Sequence, residues 1–133
     1  MCGIVGYISN SEVKSDLITG LKKLEYRGYD SVGIALFDAN QNIKVLKNSG
    51  QIKDFISKFK NDTSDGHLGI GHTRWATHGV PSDNNSHPIF DENETIALVH
   101  NGIIENYLDI KKELVDEGFK FKTDTDTECI SNL

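Results

Sequence analysis

Two apolar segments joined by a short polar turn constrain the fold of this 133-residue chain most strongly. Segments 32–38 (VGIALFD) and 43–47 (IKVLK) have the composition of strands, and Asn40–Gln41–Asn42 between them is typical of a turn. Strands joined by so short a connection pair antiparallel. Since no regular alternation of strands and helices accompanies them, the pattern predicts an α+β fold with antiparallel sheet and packed helices, not a doubly wound one.

Further strands and helices surround this hairpin. Four more strands are predicted at 3–9, 68–73, 95–100 and 119–122, and a long loop at 75–88. A first helix is expected from a cap at Asn10 or Ser11 to about Tyr26, with an apolar stripe of Val13, Leu17, Leu21 and Leu24. A short helix is marked by Ile52, Phe55, Ile56 and Phe59, and a third runs from Ile104 to Glu117 and stops at Gly118. The last residues read as the start of another helix, so we expect a domain that is incomplete at its C-terminus.

Charge and composition exclude several classes of partner. The 14 Lys and Arg residues against 20 Asp and Glu residues give a net charge of -6 without any basic run, which argues against nucleic acid and anionic membranes. No apolar stretch approaches the roughly 20 residues of a membrane span, and the N-terminus lacks the pattern of a secretory signal. Two cysteines are too few for a disulfide framework, so a cytoplasmic location is expected.

Cys2 follows the first methionine directly. An isolated cysteine is most often a buried, inert side chain. If Met1 is removed, however, Cys2 carries both a thiol and a free α-amine, whose pKa is roughly 7.7–8.0 in an unperturbed chain. One residue would then supply a nucleophile and its general base.

Three polar motifs downstream suggest a ligand site. In GHTRWATHG (71–79), Arg74 offers a planar fork of donors for a carboxylate, although a surface ion pair is the simpler interpretation. Trp75 is the only tryptophan, which ordinarily fills a core. In HNGIIENY (100–107), the Asn101 amide and the Gly102 N–H are either an ordinary turn or two donors for an oxyanion. In TDTDTE (123–128), the acids either start a helix or bind an amino group.

The five histidines raise the alternative of a metal site. Their spacing argues against it, because the sequence contains no C-x-x-C motif, no H-E-x-x-H motif and no His pair at i, i+4 on a helix. We therefore expect no metal.

Together, MCGIVGYI, LEYRGYDSVGIAL, GHTRWATHG, SHP and HNGIIENY resemble the glutaminase (class II glutamine amidotransferase) domain of the glutamine–fructose-6-phosphate aminotransferase family, also called glucosamine-6-phosphate synthase. The likeness covers essentially the whole chain, in order. The resemblance implies an N-terminal-nucleophile hydrolase fold, a four-layer αββα sandwich with antiparallel sheets.

The resemblance also implies roles for individual residues. Cys2 would attack the side-chain carboxamide of L-glutamine, and Asn101 with the Gly102 N–H would form the oxyanion hole. Arg74 would hold the substrate α-carboxylate and Asp126, at the family's TDTE position, its α-amino group. The remaining substrate-binding residues implied are Trp75 as a gate to an ammonia channel, Thr77, His78 and His87 in or near a closing loop, and Arg27 and Gly28 beside the nucleophile. No metal or organic cofactor is implied.

The members of this family have longer chains than this one. Residues 1–133 would be the N-terminal part of a type-2 glutamine amidotransferase domain, and the sugar isomerase domains that convert fructose 6-phosphate to glucosamine 6-phosphate are absent. In the full-length family protein, the resemblance implies a homodimer whose isomerase domain receives the ammonia. Two alternatives stay open: the glutaminase half of another class II amidotransferase, or a truncated fragment without catalytic activity.

Overall fold

A four-stranded antiparallel sheet organises the computed structural model, which describes residues 1–133. The strands of this sheet lie in the order β1-β4-β2-β3, and a separate two-stranded sheet pairs β5 with β6. In chain order, the elements are β1 (Gly3–Ile8), α1 (Lys14–Lys22), β2 (Ser31–Phe37), β3 (Ile43–Ser49), α2 (Ile52–Lys58), β4 (Leu68–Arg74), β5 (Ile89–Phe90), β6 (Ala97–Leu98), α3 (Tyr107–Asp116) and α4 (Thr127–Asn132). The predicted α+β class with antiparallel sheet is confirmed.

The register of the sheet gathers three chain segments at one end. In the pairing of β1 with β4, Gly3 lies opposite Thr73. In the pairing of β2 with β4, Ser31 lies opposite Arg74. The N-terminus of the chain, the entry to β2 and the exit from β4 are therefore neighbours, although they are distant in the sequence.

Helices α1 and α2 cover one face of this sheet. The predicted stripe of α1 is confirmed at three positions, since Val13, Leu17 and Leu21 are completely buried. They form one core cluster with residues of β2, β3 and α2: Val32, Ile34, Leu36, Leu46, Ile52 and Phe55. Six of the seven residues of β2 are buried, as expected of a central strand that is covered by helices.

The start of α1 was predicted incorrectly. The helix begins at Lys14, and Ser11 pairs its hydroxyl with Ser9 and caps nothing. One carboxylate oxygen of Asp65 accepts the N–H groups of Val13 and Lys14, at 3.1 Å and 3.2 Å. Because the first N–H groups of a helix need an acceptor from any source, a distant loop replaces the local cap here.

The second half of the chain contains less strand than the sequence predicts. The strand expected at 95–100 is reduced to Ala97–Leu98, which pairs with Ile89–Phe90. The carboxylate of Asp91 accepts the N–H groups of Thr95 and Ile96, both at 2.7 Å. These donors are therefore used in a local turn and not in a strand ladder.

Residues 119–122, also predicted as a strand, have no regular structure. The N–H of Lys122 donates to the carboxylate of Glu128, at 2.7 Å, and not to a neighbouring strand. The third helix begins at Tyr107, three residues later than predicted, while Gly118 ends it with a φ of 104° as expected. None of the helices combines the length and apolar character that a bilayer crossing requires.

The loop after β4 lies directly against the sheet because Gly33 has no side chain. A Cβ at this position of β2 would lie 2.1 Å from the carbonyl oxygen of His87. This close approach brings His87 and its neighbours to the same end of the sheet as Cys2.

Candidate active site

Cys2 lies beside the exit of β4 as a direct result of the strand register. The N–H of Trp75 donates to the Cys2 sulfur at 3.2 Å, and the carbonyl oxygen of Trp75 lies 3.7 Å from the same sulfur. The thiol is partly exposed, unlike the fully buried thiol of Cys129. The main chain directly after β4 thus orients a sulfur that solvent can still reach.

The N-terminal amine is held by two backbone carbonyls. The Met1 amine donates to the carbonyl oxygens of Arg27 and Gly28, at 3.0 Å and 2.7 Å. Gly28 adopts a φ of 72°, a conformation that favours glycine. Neither Arg27 nor Gly28 lines the cavity beside the thiol, so these predicted pocket residues meet the N-terminus through their main chain.

A cavity of about 200 Å³ opens beside the thiol. It is smaller than the roughly 300–1,000 Å³ of drug-sized pockets, and its volume suits a single amino acid. Its walls include eight of the predicted site residues: Cys2, Arg74, Trp75, Thr77, His87, Asn101, Gly102 and Asp126. Three further residues that were not predicted, His100, Ile103 and Thr127, also line it.

Arg74 is a buried cation with unused donor capacity. Only 4% of its surface is exposed, one guanidinium nitrogen (Nη2) donates to the carbonyl oxygen of His78, and Nη1 has no hydrogen-bond partner. Burial lowers the pKa of Arg74, while the nearby acidic groups, Asp30 first, oppose this shift. An unsatisfied buried N–H at a cavity wall can receive a ligand carboxylate.

The structure separates the two candidate acids of TDTDTE. Asp126 lines the cavity, and its Oδ2 accepts the N–H of Ile104 at 2.9 Å. Asp124 instead pairs with the buried Asn85: the Asn85 amide donates to the Asp124 carboxylate at 3.2 Å, and the Asp124 N–H donates to Asn85 Oδ1 at 3.0 Å. Asp124 therefore ties the loop after β4 to the segment before α4.

Asn101 and Gly102 are exposed at the cavity mouth. The side-chain amide of Asn101 makes no hydrogen bond within the chain, so its donors are free. A Cβ on Gly102 would lie 2.8 Å from Nε2 of His100, so a side chain there would displace the His100 ring.

The loop residues are divided between the cavity and the surrounding structure. Trp75 is 55% exposed, so the usual expectation that a lone tryptophan fills the core is wrong for this chain. Thr77 lines the cavity. His78 does not line it, because its ring packs edge-on against Tyr107 with the ring centroids 4.8 Å apart.

His87 lies deeper than a residue of a mobile loop would. It is 4% exposed, and its ring stacks on the fully buried ring of His72 with the centroids 4.5 Å apart. Burial lowers the pKa of His72 to about 4 and that of His87 to about 2, and the charge of Arg74 contributes to both shifts. Both imidazoles are therefore neutral at pH 7.

Sequence reasoning missed His100, Ile103 and Thr127. Each is adjacent in sequence to a predicted site residue, and this adjacency was the available signal. No group of three or more His, Cys, Asp or Glu side chains is arranged to hold a metal ion.

Comparisons with known proteins give one consistent answer. The profile of the family described as "Glutamine amidotransferase domain" matches residues 36–133. The glutamine–fructose-6-phosphate aminotransferases (isomerizing) of Caldanaerobacter subterraneus subsp. tengcongensis and Helicobacter pylori are 53% and 54% identical over the whole chain, which spans 22% of the length of each. The solved structure of the glutamine phosphoribosylpyrophosphate amidotransferase from B. subtilis superposes with a TM-score of 0.82 at 28% sequence identity. The superposition covers 98% of this chain and 28% of the amidotransferase chain.

The profile covers well over half of the chain, and the fold agrees with that of a solved amidotransferase. All 133 residues of the chain also align with the aminotransferases. The chain therefore belongs to the glutamine amidotransferase domain family.

Proposed function

We propose that this chain hydrolyses the side-chain amide of L-glutamine, with Cys2 as the nucleophile. One observation carries the proposal: a single cavity of amino-acid size is lined by Cys2, Arg74, Asn101, Gly102 and Asp126, although these residues come from distant parts of the sequence. A thiol, a carboxylate-binding cation, a carboxylate and free oxyanion donors are the groups that amide hydrolysis of an amino acid requires.

Removal of Met1 is part of the proposal. While Met1 is present, the amine that the carbonyls of Arg27 and Gly28 hold belongs to the wrong residue. Its removal would give Cys2 an α-amine, which can accept the thiol proton directly or through one water molecule. In this view Arg27 and Gly28 act as acceptors for the N-terminus and not as contacts for glutamine.

The reaction then balances with this chain's own groups and one water molecule. The Cys2 sulfur forms a bond to the carboxamide carbon, and Asn101 with the Gly102 N–H stabilises the oxyanion. The C–N bond breaks, and the nitrogen leaves as ammonia with the proton that came from the thiol. Water cleaves the resulting thioester, which releases glutamate and restores the thiol.

Opposite charges at the cavity would orient the substrate. Arg74 would bind the α-carboxylate through its unpartnered Nη1, and Asp126 the α-amino group through the carboxylate oxygen that Ile104 leaves free. Thr77 and His78 would belong to a segment that closes over glutamine, and Trp75 would separate the cavity from the path of ammonia.

We further propose that residues 1–133 are the N-terminal part of a type-2 amidotransferase domain in a longer cytoplasmic protein. In that protein an isomerase domain would use the ammonia to convert fructose 6-phosphate to glucosamine 6-phosphate, and the protein would be a homodimer. The sequence identity is 53% to a glutamine–fructose-6-phosphate aminotransferase and 28% to a phosphoribosylpyrophosphate amidotransferase. This difference favours fructose 6-phosphate as the ammonia acceptor over the acceptor of another class II amidotransferase.

Labelling with 6-diazo-5-oxonorleucine, a glutamine-like electrophile, tests the nucleophile directly. We expect the intact mass of the purified chain to lack Met1 and to gain one adduct, and we expect the Cys2→Ala variant to gain none. The matched control is Cys129→Ala, which removes the only other thiol. Cys129 is buried, its pKa is raised by burial, and its sulfur lies 3.5 Å from the carbonyl oxygen of Tyr107.

Cys129→Ala should therefore be labelled as fully as the wild type. Retention of Met1 together with labelling, or an adduct that survives Cys2→Ala and disappears with Cys129→Ala, would refute the assignment. Coupled assays of glutamate and ammonium on the same samples show whether labelling accompanies turnover.

A further inference from the structure

Three polar side chains in the cavity wall, His87, His100 and Thr127, join in one hydrogen-bonded circuit. Nδ1 of His87 accepts the backbone N–H of His100, at 3.2 Å. Nε2 of His87 lies 3.4 Å from the hydroxyl of Thr127, and the same hydroxyl lies 3.3 Å from Nδ1 of His100. His100 is thus held by its main chain and by its ring, and it directly precedes Asn101 and Gly102.

One arrangement of protons gives every donor in this circuit an acceptor. Since Nδ1 of His87 accepts an N–H, a neutral His87 carries its proton on Nε2 and donates it to the Thr127 oxygen. The Thr127 hydroxyl then donates to Nδ1 of His100. A neutral His100 then carries its own proton on Nε2. With the proton on Nδ1 instead, the Thr127 hydroxyl would accept two N–H groups and its own hydrogen would find no acceptor in the circuit.

The Nε2 atom of His100 faces the turn that contains the oxyanion donors. It makes no hydrogen bond within the chain, and it lies 2.8 Å from where a Cβ of Gly102 would be. The ring consequently supports the Gly102 main chain from one side. The Asn101 side chain makes no hydrogen bond within the chain, so the turn is held by its neighbours: His100 before it and, after it, the Ile104 N–H that donates to Asp126.

We propose that His87 and Thr127 are positioning residues, which set the tautomer and orientation of His100 and thereby hold the Asn101–Gly102 donors in place. The expected effect on catalysis rests on the proposed glutaminase function, whereas the placement of His100 rests on the contacts of the three side chains alone. It assigns His87 to the support of the oxyanion donors and not to the binding of substrate.

The surroundings suit such a fixed circuit. Thr127 is 1% exposed and His87 is 4% exposed, so water does not compete for these hydrogen bonds. His72 stacks on the opposite side of His87, and Gly33 leaves room for the His87 main chain. The same burial keeps His87 neutral, as the circuit requires.

The first test is the tautomer of His100, which requires no catalytic activity. In the whole chain labelled with ¹⁵N-histidine, the ring nitrogen shifts of His100 at pH 7 should show a proton on Nε2 and a bare Nδ1. In Thr127→Val, which removes the hydroxyl but keeps the shape, the Nδ1–H form should become populated, and Thr127→Ser should restore the wild-type spectrum. A wild-type His100 that is charged, or protonated on Nδ1, overturns the proposal.

The second test is a split between kcat and KM for glutamine. Thr127→Val should lower kcat by about 10–100-fold, the scale expected when oxyanion donors are displaced, with KM within about twofold of the wild type. Thr127→Ser should keep most of the activity. An equal loss in Thr127→Ser and Thr127→Val, or an effect on KM alone, contradicts a positioning role.

Two isosteres of His87 separate its two contacts. His87→Asn can place an amide oxygen near the former Nδ1 and keep the acceptor for the His100 N–H, whereas His87→Gln reaches the former Nε2 position and loses it. We expect His87→Asn to keep more activity than His87→Gln, and equal activities would overturn the proposal. A wild type without glutaminase activity would refute the proposed function, whereas the tautomer of His100 would still decide the circuit.

Discussion

Acidification from pH 7 to pH 5 should destabilise this protein through two buried histidines, His72 and His87. Both rings are neutral in the folded chain, with pKa values lowered by burial to about 4 and about 2. In the unfolded chain the pKa of histidine is roughly 6.5. Between these values the unfolded state binds more protons, so the free energy of unfolding falls as the pH falls below about 6.5.

The expected magnitude follows from linkage. One pKa unit corresponds to about 1.4 kcal/mol, and at pH 5 the unfolded histidine is almost fully protonated while the folded ones are not. Each ring then contributes a loss of about 2 kcal/mol between pH 7 and pH 5, or about 4 kcal/mol for the pair. This is a large part of the roughly 5–15 kcal/mol that stabilises a typical domain.

Other shifted groups titrate outside this pH interval. Burial lowers the pKa of Lys47 only to about 8, and Tyr29 titrates near 12. The aspartates whose pKa values are lowered by their hydrogen bonds ionise below the ordinary value of 3.8; they are Asp38, Asp62, Asp83 and Asp91. The loss between pH 7 and pH 5 therefore reports on the histidines.

Urea unfolding at pH 7 and pH 5, followed by circular dichroism, measures this loss. His72→Phe keeps a flat ring against His87 but cannot titrate, so the loss should fall from about 4 to about 2 kcal/mol. Since neither ring nitrogen of His72 has a partner, the variant should be at least as stable as the wild type at pH 7. His67→Gln is the matched control, because the exposed His67 ring is solvated in both states.

An equal loss of stability on acidification in His72→Phe and the wild type would refute this prediction. So would a His67→Gln variant that removes as much of the loss as His72→Phe does. Either result would mean that the two stacked rings are not held neutral by their burial.

Three further predictions concern backbone packing, capping and the two acids of TDTDTE. Gly33→Ala would force a Cβ to within 2.1 Å of a main-chain oxygen and should lower the thermal unfolding midpoint strongly, whereas Gly6→Ala in β1, where no heavy atom lies within 4 Å, should change it little. Asp65→Ala should cost about 1–2 kcal/mol in urea unfolding because α1 loses its acceptor, and a change near zero would contradict the capping. Asp126→Asn should raise KM for glutamine by about 10–100-fold through the lost charge, while Asp124→Asn should leave KM near the wild-type value and lower only stability; the reverse order in steady-state assays would reassign the acids.

Local pattern was sufficient for the elements whose periodicity is strong. The stripe of α1, the hairpin of β2 and β3 and the short helix α2 follow from the spacing of apolar residues, which is a property of neighbouring positions. Pattern failed where a side-chain carboxylate, distant or local, accepted backbone N–H groups in place of the expected cap or neighbouring strand. The Asp65 carboxylate accepts N–H groups at the start of α1, so the helix begins later than predicted. The Asp91 carboxylate accepts the N–H of Ile96, so only part of the segment predicted at 95–100 forms a strand.

The sequence by itself determined the chemical groups of the candidate site: a thiol behind the first residue, an Arg–Trp pair, an Asn–Gly turn and a run of acids. Only the tertiary structure decided which of them meet. The register of β1 against β4 puts Cys2 beside Trp75, and the pairing of Asn85 with Asp124 leaves Asp126 at the cavity. The physical reason is that strand register and buried hydrogen bonds join residues far apart in sequence, and no local spacing encodes such contacts.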